Sequence, residues 1–336
     1  MRVHNKDYVG TRPAAHMVMI DGKRDARASR AQRICIACEQ SEIVKAGEKL
    51  WPPGRACRCC GHVAPVESGF TTFAPALADT LTGFDPQLFA ALAPIEDTHF
   101  WFVPRHRLIA GLIERYFPAA NRILEVGCGN GAVLAKLLQT RPNRHLHGSE
   151  LHPAGLMFAR ERLGGNVDLV QMDARRIPAE AAFDVIGAFD VLEHIQEDDE
   201  VLHSAFRALV PGGGLVLAVP QHPWLWSSAD DIAHHVRRYR HGELEAKVRQ
   251  AKFEVLFSGS YCTALLPLMM MSRWGERLRQ TKEGSSTTSQ SEFNPAPWLN
   301  AALKRILNAE VSATLAGARF PVGGSRIVVA VRPATS

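Results

Sequence analysis

The chain has 336 residues, enough for one large α/β domain and a smaller unit. Its 39 Lys and Arg against 34 Asp and Glu leave a formal net charge of +5, too small an excess to indicate nucleic-acid binding by itself. The N-terminus has no apolar run of signal-peptide length, so we expect a cytoplasmic protein. Residues 1–33 are polar and irregular, and a basic cluster at 23–33 lies within them. We expect this segment to be disordered.

Four of the seven cysteines form two CxxC pairs with eighteen residues between the pairs. Such spacing puts four thiolates around one tetrahedral Zn²⁺, so residues 34–69 are predicted to form a zinc ribbon with a structural role. Glu39 departs from this pattern, because Gly is common after the first pair. Cys59 is an extra thiol, and His62 is an alternative ligand. A set of reduced cysteines without metal is the competing interpretation. The predicted zinc ligands are Cys35, Cys38, Cys57 and Cys60.

Residues 70–121 read as a helical lid or linker, with a short helix at 84–92 and an amphipathic helix ending at Tyr116. Before the second helix stand Phe100, Trp101 and Phe102. These aromatic residues either cover a ligand or dock the helix on the sheet, and the docking role is favoured. Two arginines in that helix are predicted to lie on a solvated face rather than to meet an anion; they are Arg105 and Arg107.

A buried strand at 122–126 runs into the glycine-rich turn Gly127-Cys-Gly-Asn-Gly131 and then into a helix at 132–138. Glycines let the backbone turn sharply and lie close to a ligand. This arrangement is typical of nucleotide-like cofactors bound at the carboxyl ends of parallel strands. The spacing is not G-x-G-x-x-G, and Glu125 precedes the turn. A carboxylate there is unfavourable for a pyrophosphate and suits a cationic ligand.

Two further acidic residues follow at the ends of the next two predicted strands. Glu150 comes after the alternating segment 145–148, where a carboxylate accepts hydrogen bonds from ribose hydroxyls. Asp173 ends the apolar run 167–172, where it can accept a hydrogen bond from an exocyclic amine.

With residues 183–195 and 209–217, these segments resemble class I S-adenosylmethionine-dependent methyltransferases over about residues 122–261 and at the last strand. The resemblance implies a doubly wound, mostly parallel, seven-stranded Rossmann-like sheet for a domain at 122–336. It also implies S-adenosylmethionine as cofactor, with the methionine part at the glycine turn, the ribose at the second strand and the adenine at the third. The residues expected to bind it are Glu125, Gly127, Gly129, Gly131, Glu150, Asp173, Ala174 and Asp190.

The chemistry is expected after the fourth strand, at Asp190-Val-Leu-Glu-His194. Methyl transfer is an in-line displacement, and a hydroxyl acceptor must lose a proton. His194 is the candidate base, since its unperturbed pKa is near neutral. The segment also resembles the metal-dependent O-methyltransferases of ubiquinone biosynthesis, in which Asp190, Glu193 and His194 would match Mg²⁺ ligands. Asp190 is shorter than the Glu usual there, and a purely structural role for Glu193 and His194 is equally open.

A second polar and aromatic cluster follows the fifth strand, 214–219, on a predicted loop. Its side chains are expected to line the acceptor pocket, because Trp and Tyr faces stack on sugar or aromatic rings. The alternative is a surface turn that caps the next helix, 242–251. The predicted pocket residues are His222, Trp224, His235, Arg238 and Tyr239.

A long insertion, 261–323, separates the sixth strand at 253–257 from the seventh at 325–331. Its apolar run 264–271 is too short to span a bilayer. In a helix at 298–316, apolar residues are expected to share one face, with Lys304 and Arg305 pointing away. A cover over the active site or a homodimer contact is favoured, and peripheral contact with the inner membrane face is the alternative. The apolar face comprises Leu299, Leu303, Ile306, Leu307 and Val311.

The sequence therefore predicts methyl transfer to a small-molecule acceptor, with a hydroxyl of a sugar, a lipid-linked group or a quinone-like ring as the expected acceptor. One alternative is an RNA methyltransferase in which the zinc ribbon and the basic segment hold RNA, as the similar domain order of ribosomal RNA guanine methyltransferases implies. Another is a non-catalytic module whose binding of S-adenosylmethionine regulates an interaction.

Overall fold

The computed structural model of the chain describes residues 31–78, 84–280 and 295–334. Most of the predicted irregular segment 1–33 therefore lies outside the described residues. Its end was placed too late, because Gln32 and Arg33 already belong to the first strand, in which Arg33 is buried. The predicted boundary of the ribbon moves accordingly, to residue 31.

Twelve strands and ten helices are present in the described parts of the chain. The strands are β1 (Gln32–Ile34), β2 (Ser41–Ile43), β3 (Val66–Glu67), β4 (Phe70–Thr72), β5 (Arg122–Val126), β6 (His145–Glu150), β7 (Val167–Gln171), β8 (Ala179–Glu180), β9 (Phe183–Phe189), β10 (Leu209–Pro220), β11 (Glu254–Tyr261) and β12 (Ser325–Val331). The helices are α1 (Pro75–Ala78), α2 (Gln87–Leu92), α3 (Phe102–Tyr116), α4 (Ala132–Thr140), α5 (Pro153–Leu163), α6 (Asp198–Ala208), α7 (Ser228–Ile232), α8 (Glu243–Gln250), α9 (Leu266–Gln280) and α10 (Pro297–Ala316).

The main sheet has the order β11-β12-β10-β9-β5-β6-β7-β4-β3. The predicted doubly wound, mostly parallel sheet is confirmed, with β12 antiparallel to both of its neighbours. The sheet has nine strands rather than seven. The extra pair comes from residues before the core: β4 adds parallel to β7, and β3 pairs antiparallel with β4. The sequence predicted a helical lid or linker from residue 70 onward. Residues 70–72 instead form a strand of the sheet.

The sheet separates two apolar layers, because successive side chains along a strand point to opposite faces. Ile123 belongs to one layer and its neighbour Leu124 to the other. Helices α3, α4, α5 and α10 cover the first face, and α6 and α8 cover the second. Strands β9 and β12 are buried along their whole lengths, and apart from Asp184, Ser325 and Arg326 their residues are apolar rather than alternating.

Of the described part of the insertion, α10 packs on the first face of the sheet and α9 contacts the turn that follows β10. Helix α10 lies along α3, and the Arg107 guanidinium donates to the backbone oxygen of Asn308 at 3.1 Å. The cover over the active site stays a prediction, since residues 281–294 of the insertion lie outside the described residues. Arg107 contacts α10, so the solvated role expected for it is wrong. Leu303, Leu307 and Val311 are buried as expected, whereas Ile306 is exposed and does not belong to their face.

Helix α9 leaves several large apolar side chains in solvent, among them Met271 and Trp274. None of the helices in the described ranges is both long enough and apolar enough to cross a bilayer. Peripheral membrane contact, a homodimer and a cytoplasmic location stay predictions.

The ribbon, which we define as residues 31–67, is built into the domain rather than tethered to it. Strand β1 pairs antiparallel with β2 on one side and with β8 on the other. Trp51 is buried against Phe73, His147 and Phe183, and its indole N–H donates to the Pro178 oxygen at 3.0 Å. Packing therefore stabilises the ribbon together with any metal.

Candidate active site

The two CxxC turns of the ribbon have the same backbone geometry. The amide of Cys35 donates to the Gln40 oxygen and that of Cys57 to the His62 oxygen. The residue after each pair has a left-handed backbone, with φ of 58° at Glu39 and 74° at Gly61. Glu39 thus fills the position that glycine usually takes, at some conformational cost.

Four sulfurs meet between these turns. The Sγ atoms of Cys35 and Cys60 are 3.7 Å apart, as are those of Cys38 and Cys57. A tetrahedral ion with bonds of about 2.3 Å separates two sulfurs by about 3.8 Å. Backbone amides of Cys60 and Cys59 lower the pKa of Cys57 to about 6, which favours its thiolate, whereas burial and the neighbouring cysteines raise the pKa of Cys38. The cluster fits one tetrahedral Zn²⁺ and excludes the exposed Cys59.

A cavity of about 460 Å³ opens at the carboxyl ends of β5, β6, β7 and β9. The chain order of these strands reverses between β5 and β9, and crevices at such a switch point bind ligands in doubly wound folds. The volume lies within the usual range for small-molecule sites, roughly 300–1,000 Å³. The lining includes most of the predicted cofactor residues: Glu125, Gly127, Gly129, Glu150, Asp173, Ala174 and Asp190.

The glycine turn brings open backbone to the cavity. Gly127 and Gly129 have φ of 65° and 49°, and a Cβ at Gly127 would collide with Val191. The third predicted glycine, Gly131, does not line the cavity. It lies at the start of α4 with φ of 75°, where a Cβ would meet Leu163 at 2.9 Å. Gly131 therefore serves close packing of α4 on α5 rather than ligand contact.

Glu150 braces the glycine turn from the end of β6. One carboxylate oxygen accepts the Gly129 amide at 3.1 Å, and the other accepts the Leu151 amide at 2.8 Å. Burial raises the pKa of this carboxyl. The carboxylate is in place to receive hydroxyl donors from the cavity, where sequence reasoning expected it.

Glu125 is buried beneath the turn, and its Oε2 has no hydrogen-bond partner among the described residues. Burial raises the pKa of this carboxyl well above its ordinary value. A cationic group in the cavity would offset the desolvation cost and favour the ionised form. The position suits a positively charged ligand group.

Asp173 lies at the cavity, but its carboxylate is already engaged. Arg175 contacts both carboxylate oxygens at 3.0 Å through Nε, and the Arg175 backbone amide donates at 2.9 Å. Ala174 begins the 3₁₀ turn Ala174–Arg176 beside it. An exocyclic amine would share an acceptor that Arg175 already occupies.

Asp190 forms an ion pair that the sequence did not predict. The Arg105 guanidinium of α3 is buried and lies 2.8 Å from the Asp190 carboxylate. The solvated role expected for Arg105 is therefore wrong. Asp190 also has a left-handed backbone, with φ of 56°. Because its carboxylate pairs with Arg105, Asp190 does not group with Glu193 and His194 as the predicted Mg²⁺ set requires.

Glu193 and His194 cluster with a different residue, His235 from the loop after β10. Glu193 is fully buried, and His194 lines the cavity. Burial, followed by the neighbouring His235, lowers the pKa of His194 to about 3. His194 was predicted to be the general base because the unperturbed pKa of histidine is near neutral. Its surroundings in the structure remove that basis.

The predicted acceptor pocket is largely dispersed. Tyr239 is fully buried, and its hydroxyl donates to Asp198 at 2.7 Å. Arg238 pairs with Asp230 at 2.7 Å, and His222 stacks on the half-exposed Trp224. None of the five predicted residues lines the cavity, although Val236 of the same loop does. The density of polar residues in this loop did not reveal which of its side chains face the cavity.

Sequence reasoning missed an aromatic wall supplied by α2 and the start of α3. Phe89 and Phe84 pack 4.9 Å apart between ring centres, and Phe89 lies against Gly129 and Gly155. Phe102 lines the cavity, whereas Trp101 packs on Tyr261 of the sheet, so the predicted aromatic segment divides between the two roles. Only the apolar character of 84–92 could have indicated this wall.

Residues 123–213 match the family model of a methyltransferase domain. The chain contains a methyltransferase domain. The predicted family resemblance is thereby confirmed, for the segment that includes β5 to the start of β10 and the cavity between them.

The methyltransferase domain is similar to curated proteins of Pseudomonas putida. The ubiquinone/menaquinone biosynthesis C-methyltransferase UbiE is 30% identical over 106 residues, which covers 30% of this chain and 41% of that protein. The ubiquinone biosynthesis O-methyltransferase is 30% identical over 123 residues, covering 33% and 51%. The chain thus spans about half the length of these relatives or less. Their names specify carbon and oxygen acceptors, so the similarity leaves the acceptor atom open.

Among solved structures, phosphoethanolamine N-methyltransferase 2 of Haemonchus contortus, in complex with S-adenosyl-L-methionine, superimposes with a TM-score of 0.49 at 18% identity. The superposition covers 74% of this chain and 57% of that chain.

Proposed function

We propose that the chain transfers a methyl group from S-adenosylmethionine to a small-molecule acceptor. The observation that carries this proposal is the acidic cavity at the switch point of the sheet. Carboxylates of Glu125, Glu150 and Asp173 stand at or near the ends of three adjacent strands around an open glycine turn. This set is unfavourable for a pyrophosphate and suits a nucleoside that carries positive charge.

Each of the three acidic residues would contact a different part of S-adenosylmethionine. Glu125 would pair with the cationic methionine part, because its buried Oε2 lacks a donor among the described residues. Glu150 would accept the ribose hydroxyls while it holds the Gly129 amide. Asp173 and Ala174 would border the adenine. When bound, the cofactor supplies an electrophilic methyl group on a sulfonium.

The acceptor would enter between Asp190 and the aromatic wall. Phe84, Phe102 and Phe189 line this side of the cavity, together with the Arg105–Asp190 ion pair. Aromatic walls hold planar rings at low entropic cost. A hydroxyl on a phenol or quinone-like ring is therefore the acceptor that we favour over a sugar or a lipid-linked group.

The ribbon is proposed as a structural zinc site rather than an RNA-binding surface. Arg55 pairs with Glu48 at 2.8 Å, and Arg58 pairs with Glu42 at 3.0 Å. These cations are neutralised within the ribbon, whereas phosphate binding requires unpaired ones. Four sulfurs around one ion leave no open position for chemistry.

The decisive experiment compares two glycine-to-arginine variants in an unbiased metabolite screen with a labelled methyl donor. Gly129→Arg would fill the cofactor cavity and is expected to abolish labelling and the calorimetric signal for S-adenosylmethionine and its demethylated product. Gly165→Arg is the matched control, because Gly165 also has a positive φ of 80° but faces open space. It is expected to keep both signals.

Retained binding in Gly129→Arg would overturn the placement of the cofactor. NAD that titrates into the wild type while S-adenosylmethionine does not would overturn the activity itself. Labelling confined to RNA would replace the small-molecule acceptor with the nucleic-acid alternative, and binding without any turnover would favour the non-catalytic module.

A further inference from the structure

Outside the ribbon, three potential metal ligands converge beside the cavity, and one of them, His194, lines it. Glu193, His194 and His235 each offer a ligand atom within 4.8 Å of the other two. They come from two segments separated by about forty residues. A backbone hydrogen bond of 2.8 Å from the Val236 amide to the Glu193 oxygen joins these segments. The cluster is thus held by main-chain contacts and does not depend on chance side-chain proximity.

The carboxylate of Glu193 is the most unusual group in this cluster. Its side chain is fully buried, and neither oxygen has a hydrogen-bond partner among the described residues. Burying a carboxylate without hydrogen-bond donors costs free energy of folding, so such groups are usually paired or bind a cation. The His194 Nδ1 atom is also buried without a partner in the described ranges. Three atoms suited to coordination, two carboxylate oxygens and one imidazole nitrogen, are therefore buried here without a hydrogen-bond partner in the described part of the chain.

His235 is oriented as metal-binding histidines are. Its Nδ1 lies 2.8 Å from a carboxylate oxygen of Asp230, and its Nε2 lies 4.0 Å from Glu193 Oε1. Asp230 is buried and is held by Ser227 and Arg238. A carboxylate that accepts from one ring nitrogen fixes the tautomer and presents the other nitrogen to a metal. Two ligands of one ion lie about 3 to 4 Å apart, depending on their angle, so the observed spacing requires little closure.

We propose that Glu193, His194 and His235 bind one divalent transition-metal ion, of the class of Zn²⁺, Fe²⁺ or Mn²⁺. Two imidazoles and one carboxylate favour these ions over Mg²⁺, which prefers oxygen ligands and retains water. The ligand set differs from the Asp190-containing one that the family resemblance implied, because Asp190 pairs with Arg105 instead. The proposal stands whether or not the chain transfers methyl groups.

Cobalt absorption spectroscopy tests this site in the full chain, because it separates thiolate ligands from nitrogen and oxygen ligands. We expect two Co²⁺ per chain, one with sulfur-to-cobalt charge-transfer bands from the ribbon and one with ligand-field bands alone. His235→Gln should lose the second ion while keeping the thiolate bands, which report that the chain is folded. Its affinity for the second Co²⁺ should fall by more than the roughly tenfold to hundredfold that losing an outer-shell partner costs, because His235 is itself a ligand.

Two variants serve as controls. His234→Gln changes the adjacent, exposed histidine and should retain both ions. Asp190→Asn should also retain both ions.

Wild-type protein that shows thiolate bands only, or His235→Gln that still holds the second ion, would overturn the proposal. Loss of the second ion in Asp190→Asn alone would restore the other ligand set and reject ours. Calorimetry with S-adenosylmethionine on His235→Gln reports the cofactor site separately, since His235 does not line the cavity.

Discussion

The ribbon and the cavity both leave buried polar atoms without a hydrogen-bond partner among the described residues, but the atoms differ in kind. In the ribbon they are nitrogens, Nε and Nη1 of Arg33 and Nε2 of His62, while the four sulfurs face one another. At the cavity they include oxygens that accept hydrogen bonds, Glu125 Oε2 and Asn130 Oδ1. Folded proteins rarely leave buried polar atoms unpaired, and sites that bind ligands are a common exception. One ion would close the sulfur cluster of the ribbon, whereas the cavity has room for a ligand that donates to these oxygens.

Removing the metal from the ribbon should give the largest effect. Cys57→Ser is expected to release Zn²⁺, whose binding supplies on the order of 10 kcal/mol in small zinc domains. Hydrogen exchange at residues 31–67 should rise and the fluorescence of buried Trp51 should shift to the red, while β5 to β10 stay protected. Cys59→Ser is the control, because its sulfur is exposed and outside the cluster. Unchanged protection in Cys57→Ser would mean that packing alone holds the ribbon.

Trp51→Ala should weaken the attachment of the ribbon without touching a metal ligand. The substitution removes a buried indole that packs on three rings and donates to the Pro178 oxygen, a loss of about 3–5 kcal/mol in unfolding free energy. Trp298→Ala should change this value by less than about 0.5 kcal/mol, because Trp298 is 74% exposed. Urea denaturation measures both. Equal effects in the two variants would contradict the docking seen between ribbon and domain.

The smallest effect is expected at His106 beside the cavity, as a decrease in the free energy of unfolding when the pH is lowered moderately below neutral. Burial, with a further contribution from Arg105, lowers the pKa of His106 to about 3, below about 6.5 in the unfolded chain. Its contribution is complete above pH 6.5 and is lost as the pH falls toward 3. At pH 5.5 the loss is about 1.4 kcal/mol. His106→Gln should flatten this part of the stability profile, whereas exposed His241→Gln should keep the parent's slope. A parent-like slope in His106→Gln would show that another group titrates.

The sequence alone predicted the features whose residues are close in the chain. Two CxxC pairs bring four sulfurs together because each pair lies on one tight turn. The glycine turn and the acids Glu150 and Asp173 follow strands whose carboxyl ends must share one edge of a parallel sheet. Strand patterns and loop chemistry act over a few residues, so the sheet core and the family could be predicted without coordinates.

Only the tertiary structure decided which distant side chains meet. Arg105 faces Asp190, His235 joins Glu193, and Tyr239 turns away to Asp198. The added strands β3 and β4 depend on an edge of β7 that no local pattern marks. The physical reason is that a loop residue's direction is set by the surfaces it packs against, and burial and ion pairing are settled between segments far apart in the chain.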